Sequence, residues 1–135
     1  MNRRFLGAVL AGSATLLPVG FLLYGVVFSF LFEEGALLLP GVMRQSPSVA
    51  WIIAGQVGFG TLVALVISWR GKESLTGGAQ TGAILGFLMA VGYDFAQFGT
   101  SNLWSLEATL ADPFITAALV GASGASTGWV LGRRS

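Results

Sequence analysis

Four unbroken apolar stretches, each long enough to cross a lipid bilayer, decide what this chain can fold into. They cover residues 5–32, 48–69, 77–98 and 113–131, and a hydrocarbon core of about 30 Å needs roughly 20 helical residues. A backbone surrounded by lipid must satisfy its own hydrogen bonds, so each stretch reads as a helix. Polar punctuation separates them: Glu33-Glu34 closes the first, Arg70-Gly71-Lys72-Glu73 divides the second from the third, and Gly99-Thr100-Ser101-Asn102 follows the third. Two starts are marked as well, because Ser46-Pro47 and Asp112-Pro113 each put a side-chain acceptor at N-cap and a proline at the first helical position. The expected fold is all-α: one transmembrane domain over residues 1–135, an integral membrane four-helix bundle of antiparallel, glycine-packed helices. Composition agrees, since 54% hydrophobic and 10% charged residues leave too little polar surface to cover a water-soluble globule.

Composition also removes several kinds of chemistry. Seven basic and six acidic residues leave a net charge of +1, far from what neutralising nucleic-acid phosphates requires, so DNA and RNA are not expected partners. The sequence holds no Cys and no His. Disulfides, thiol chemistry, iron–sulfur clusters, His-ligated haem and the common zinc sites are thereby excluded, and no cofactor or metal is expected.

Orientation follows from the basic residues. With four spans both chain ends share a side, and that side carries Arg3, Arg4, Arg70, Lys72, Arg133 and Arg134 against Arg44 on the other. The positive-inside rule then predicts a multi-pass membrane protein with both termini cytoplasmic. Glu33, Glu34, Glu107 and Asp112 fall outside. Trp51 and Trp104 sit at the outer ends of the spans, Trp69 and Trp129 at the inner ends, where amphipathic rings meet headgroups. Arg3-Arg4 followed by Ala11-Gly12-Ser13-Ala14 resembles a signal peptide, but the apolar run continues through Phe21-Leu22-Leu23, which suits a retained helix. That first span would reach about 42 Å and should tilt or bend, with Pro18 and Gly20 as the expected bend. The first outer loop, 33–47, is apolar and is expected to lie on the membrane surface or dip into it.

Glycine carries the information about assembly. Gly78, Gly82, Gly86 and Ala90 recur every four residues in the third span, and the fourth holds Gly121, Ala125, Gly124, Gly128 and Gly132. Lipid tails are as apolar as leucine, so helices in a bilayer associate where small residues let backbones approach. The third and fourth helices should therefore cross closely. Gly7 with Ala11, Ala8 with Gly12, and the trio Gly55, Gly58 and Gly60 add smaller rows. Such rows serve either one bundle or a homodimer, and spacing does not separate the two. The short charged inner loop makes the second and third helices an antiparallel hairpin.

Asp94 stands out as the ionisable residue inside an expected span. A carboxylate at the bilayer centre costs about 2.5–3.5 kcal/mol on insertion scales, less near an interface. Phe98 ends the expected helix four residues later, so Asp94 reads either as a hydrated interfacial group or as part of an outward-opening polar pocket. That pocket would gather Asp94, Tyr93, Gln97, Gln56 and Asn102, with Arg44 as counter-charge. Gln97 shares the face of Asp94 at i+3, and Asp94 adjoins the glycine face. Nucleophilic catalysis lacks a histidine base, no paired intramembrane carboxylates are visible, and Gly77-Gly78-Ala79-Gln80-Thr81-Gly82 lacks the lysine of a phosphate loop. Enzymatic activity is not expected.

Tyr93-Asp94, then Phe98-Gly99-Thr100-Ser101-Asn102-Leu103, Leu106 and Pro113 resemble the stretch joining the last two helices of small bacterial four-helix inner-membrane families without an assigned activity. Those families carry an aromatic–small–Thr–x–(Asp/Asn)–Leu pattern and a proline opening the final helix. This chain has Asn102 where Asp is usual and Asp112 where tryptophan precedes the proline. The resemblance implies a four-helix inner-membrane fold. Two functions are compatible with the residues. One is a non-enzymatic accessory protein that associates through its small-residue faces with itself or with a larger membrane complex. The other is a small dimeric transporter or channel in which Asp94 binds a proton or cation. The lipid bilayer is the partner common to both.

Overall fold

The structure, a computed structural model, describes residues 2–31, 45–101 and 103–133. Four helices among them are long and apolar enough to cross a membrane. Helix α1 (Arg3–Gly20) continues as a π-helix over Phe21–Val27; α2 is Val49–Arg70, α3 Leu75–Thr100 and α4 Leu106–Gly132. At 1.5 Å per residue α2 measures about 33 Å and α4 about 40 Å, enough for the hydrocarbon core.

Local chemistry explains most of the ends. At the α2 C-terminus Gly71 adopts φ 66°, its N–H reaches the Ser68 carbonyl at 3.1 Å, and the Lys72 N–H reaches Ile67 at 3.2 Å. That is a Schellman motif, whose left-handed residue favours glycine. Ser74 then caps α3, its Oγ accepting from the Gly77 N–H at 2.9 Å. Asn2 caps α1 by accepting from Phe5 N–H at 2.7 Å.

Two expectations about helix starts need correction. Pro113 does not open the last helix; it lies inside α4, whose N-cap is Ser105. The Ser105 Oγ accepts from the Ala108 N–H at 3.1 Å and Glu107 occupies the positive first turn. This cap and the favourable dipole contact start the helix seven residues earlier, and α4 carries the missing Pro113 N–H as one lost bond. Asp112, expected outside as an N-cap, is likewise helical. Pro47 is not the first residue of α2 either. Ser48 is extended (ψ 104°) and serves as N-cap without a side-chain hydrogen bond, so the ladder begins at Val49. In α1 the helix continues through Pro18 and Gly20, the residues expected to bend it, and a π turn follows from Phe21.

Helix α4 is central. It lies against α3 most extensively, then against α1, and also meets α2. Despite their short connection, α2 touches α3 far less than it touches α1. Along α3 and α4 the register is antiparallel. A Cβ on Gly78 would fall onto the Gly124 carbonyl oxygen, one on Gly82 onto that of Val120, and one on Gly86 would lie 2.7 Å from that of Thr116. Reciprocally, Gly124 faces the Gly78 carbonyl and Gly128 that of Ser74, while Gly121 lies against Ala83. Ala90 is buried further along the same face.

The core sits toward the α2–α3 turn. Ala8, Val63, Ile67, Val120 and Leu131 form it, with Phe5, Leu85 and Val130 against it. Hydroxyl groups stitch the same region together: Ser13 donates to the Gln56 carbonyl (3.2 Å), Ser123 to that of Gly12 (3.0 Å), and Thr15 pairs with Ser126 (2.9 Å). Arg70 reaches back to Thr81 at 2.8 Å. The guanidinium of Arg133 covers the Trp129 ring at 4.7 Å.

Candidate functional site

The polar groups at the opposite end of the bundle converge on α4. The α3–α4 register that pairs Gly86 with Thr116 brings Asp112 level with Ala90, one turn from Asp94. The two carboxyl groups are thereby neighbours across the α3–α4 seam. From the first helix, Tyr24 donates its phenolic O–H to Asp112 Oδ1 at 2.5 Å and pairs with Thr116 Oγ1 at 2.8 Å. Thr116 is also 3.3 Å from Asp112 Oδ2. Three helices thus each contribute to one cluster: Tyr24, Asp94, and Asp112 with Thr116. All four are half-buried.

Helix geometry sets the depth. Asp94 precedes the end of α3 at Thr100 by six residues, and Asp112 follows the start of α4 at Leu106 by six, so each lies about 9 Å from its helix end. Asp94 is not alone in its span region, and the expectation that no paired intramembrane carboxylates exist is corrected. The physical reason is the earlier start of α4, which draws Asp112 inward.

The contacts of this pair set what it can bind. Asp94 Oδ2 is buried and no donor among the described residues reaches it. Its neighbour Asp112 is another carboxyl group, and two carboxylates are both acceptors. The contact from Tyr24 occupies Asp112 Oδ1, so the pair sets acceptor groups side by side with one oxygen of Asp94 left without a donor among the described residues. Such a pair can hold, exchange or pass a proton. With only carboxyl and hydroxyl oxygens present, it also suits a hard cation better than a soft metal. Among the described residues no group of three or more acidic, His or Cys side chains is placed to hold a metal ion.

The remaining residues of the expected pocket are scattered. Tyr93 is 69% exposed on α3. Gln97 is half-buried one turn beyond Asp94. Gln56 is half-buried on α2, where its backbone carbonyl accepts from Ser13 of α1. Arg44 and Asn102, like Glu33, Glu34, Arg134 and most of the 33–47 loop, lie outside the described residues. Tyr24, Asp112 and Thr116 are the members that sequence reasoning missed. A usable signal existed for Asp112: Ser105-Leu106-Glu107-Ala108 has the cap and acidic first turn of a helix start, and accepting it puts Asp112 inside the span. Tyr24 offered a weaker one, a phenol in the middle of an apolar stretch. No family model, curated protein or solved structure matches the chain.

Proposed function

We propose that this chain is a small multi-pass protein of the bacterial inner membrane, with both termini cytoplasmic, that binds a proton or a hard cation at the Asp94–Asp112 pair and moves it as a transporter or channel. The carboxyl pair carries this reading. Two ionisable groups set about 9 Å along their helices, tied to Tyr24 and Thr116, are costly to keep in a span and belong to ion paths and proton relays elsewhere in membrane proteins. Proton binding is favoured over acid/base catalysis because both Asp112 oxygens are already engaged by hydroxyl groups, which leaves it poorly placed to activate a substrate or water. The six-to-one bias of basic residues toward the α2–α3 turn and the chain ends supports the orientation.

The test is flux into sealed vesicles containing the purified protein, followed with a pH-sensitive dye under an imposed gradient. Wild type should conduct or exchange protons, and Asp112→Asn should remove at least nine-tenths of the rate. Wild-type vesicles no leakier than empty ones, tested with sodium and potassium as well as protons, would refute the reading.

A second reading, an accessory or self-associating protein without enzymatic activity, has one observation in its favour. The glycines of α3 and α4 are occupied within the chain, but Gly55 and Gly58 on α2 have open space around them, and small residues on an uncovered face permit close approach of a second helix. A single Gly55→Cys in this otherwise Cys-free chain should cross-link to a second copy in membranes. Monomer alone after oxidation would remove self-association through this face.

A further inference from the structure

Helices α2 and α3 meet at their turn and then part. Arg70 at the end of α2 donates to the Thr81 hydroxyl at 2.8 Å, and Thr81, only 2% exposed, donates in turn to the Gly77 carbonyl at 2.7 Å. A buried hydroxyl with both roles taken holds the guanidinium at a set place between the two helices, while the arginine itself stays exposed. Steps of seven, eleven and eighteen residues return to one face of a helix. Counted back from Arg70 they reach Val63, Phe59 and Ile52, and counted on from Thr81 they reach Leu88, Gly92 and Gly99. Val63 is buried, but Phe59, Ile52 and Leu88 are exposed, and a Cβ on Gly92 or Gly99 would meet nothing within 4 Å. The faces that touch at the turn therefore open into a groove, apolar along both walls and headed by a fixed arginine.

The head of this groove is basic. Lys72 follows Arg70 in the turn, and α4 brings Arg133 close, because a Cβ on Gly132 would fall on the Glu73 carbonyl and one on Gly128 on that of Ser74. Glu73 is the single acid between Trp69 and Thr76. Trp69 and Trp129 are exposed beside these charges, as rings among headgroups are. An arginine fork matches a phosphate bidentately, and one already held in place loses less freedom on binding than a free side chain. We propose that the α2–α3 groove binds one anionic phospholipid, its phosphate held by Arg70 and Lys72 and one acyl chain lying along Leu88 and Phe59 as far as Gly92. Length fits, since Gly92 lies about 16 Å along α3 from Thr81 and one leaflet of hydrocarbon is about 15 Å deep. Charge selects the lipid: a zwitterionic headgroup brings its own cation to compete with Arg70 and Lys72, and an anionic one does not. The site is separate from the Asp94–Asp112 pair and stands whether or not that pair carries ions.

The test is native mass spectrometry of the purified chain in detergent, mixed with phosphatidylglycerol or with phosphatidylcholine of the same acyl chains. Wild type should retain one phosphatidylglycerol at a concentration about fivefold below that needed for phosphatidylcholine. Arg70→Gln should bring the two lipids to the same concentration. Thr81→Val keeps every charge but frees the arginine, and should lower the preference about twofold, whereas plain attraction to a basic end would not change. Gly92→Leu fills the groove away from any charge and should weaken retention of both lipids about threefold. Equal retention of the two lipids by wild type overturns the site, and so does a preference that Arg70→Gln leaves untouched. If Arg70→Gln fails to fold, Thr81→Val and Gly92→Leu decide, and wild-type behaviour in both overturns the proposal. Inorganic phosphate should not strip the bound lipid; displacement by phosphate alone would assign the basic cluster to a free anion and refute the lipid.

Discussion

The two ends of this bundle are built on different principles. Toward the α2–α3 turn, backbones touch: Gly78, Gly82, Gly124 and Gly128 leave no room for a Cβ, Ile67, Val63 and Ala64 are buried, and hydroxyl groups bridge α1, α2 and α4. Toward the other end α4 stays packed, with Ala108, Thr109, Pro113 and Ile115 buried and Phe114 edge-on to Phe87, while the faces of its neighbours are left open. Gly55, Gly58, Gly92 and Gly99 have nothing within reach, no residue of the π turn is buried, and α2 buries nothing before Gly60. Dispersion at close backbone contact holds the first region, and the second combines side-chain packing along α4 with a few polar bonds around two carboxyl groups. A membrane protein that needs one rigid end and one that can rearrange would divide its sequence this way, because contact with lipid costs an apolar helix face little.

The largest effect should separate the ends by a single glycine. Gly82→Leu drives a side chain into the Val120 carbonyl and should cost about 3 kcal/mol or prevent folding, read as thermal unfolding in detergent. Gly92→Leu on the same helix enters open space and should stay within about 0.5 kcal/mol; comparable losses would erase the distinction. Next is Tyr24→Phe, which gives up the bonds to Asp112 and Thr116 and should lower stability by about 1.5 kcal/mol near neutral pH. An unfolding temperature equal to that of wild type would show that these bonds do not hold this end together. Ser126→Ala, at the tight end, removes the contact with Thr15 and should cost only about 0.6 kcal/mol, because close helix contact there does not depend on one hydroxyl. Smallest of all, Asp94→Asn should leave expression and unfolding temperature within about 0.5 kcal/mol of wild type while removing any pH dependence of flux.

Much of the tight end was legible in the sequence. Spacing of four puts Gly78, Gly82, Gly86 and Ala90 on one face, and the charged run after Trp69 marks a turn between apolar stretches, which Gly71 and Ser74 close with recognisable caps. Which carbonyls those glycines meet is a property of the crossing, and periodicity along one helix holds no information about it. The loose end was less legible for a definite reason. Asp112-Pro113 is a strong local start signal, and the competing Ser105 cap wins because a helix begun there gains an acidic first turn and two further turns of backbone hydrogen bonds. Once α4 is extended, the lone Asp94 becomes a pair. Tyr24 joined them through a departure from α-helical period that no pattern of 3.6 residues anticipates.

The central place of α4 bears on how the molecule comes to exist. Helices α1, α2 and α3 are synthesised before it, α3 has little surface to share with α2, and the glycine face of α3 finds its mates on α4. Helices α1 and α2 can pair early, through Gly60 against Val9 and Ser13, but α3 must wait in the bilayer until α4 inserts, so the glycine seam and the carboxyl pair are completed together by the last span.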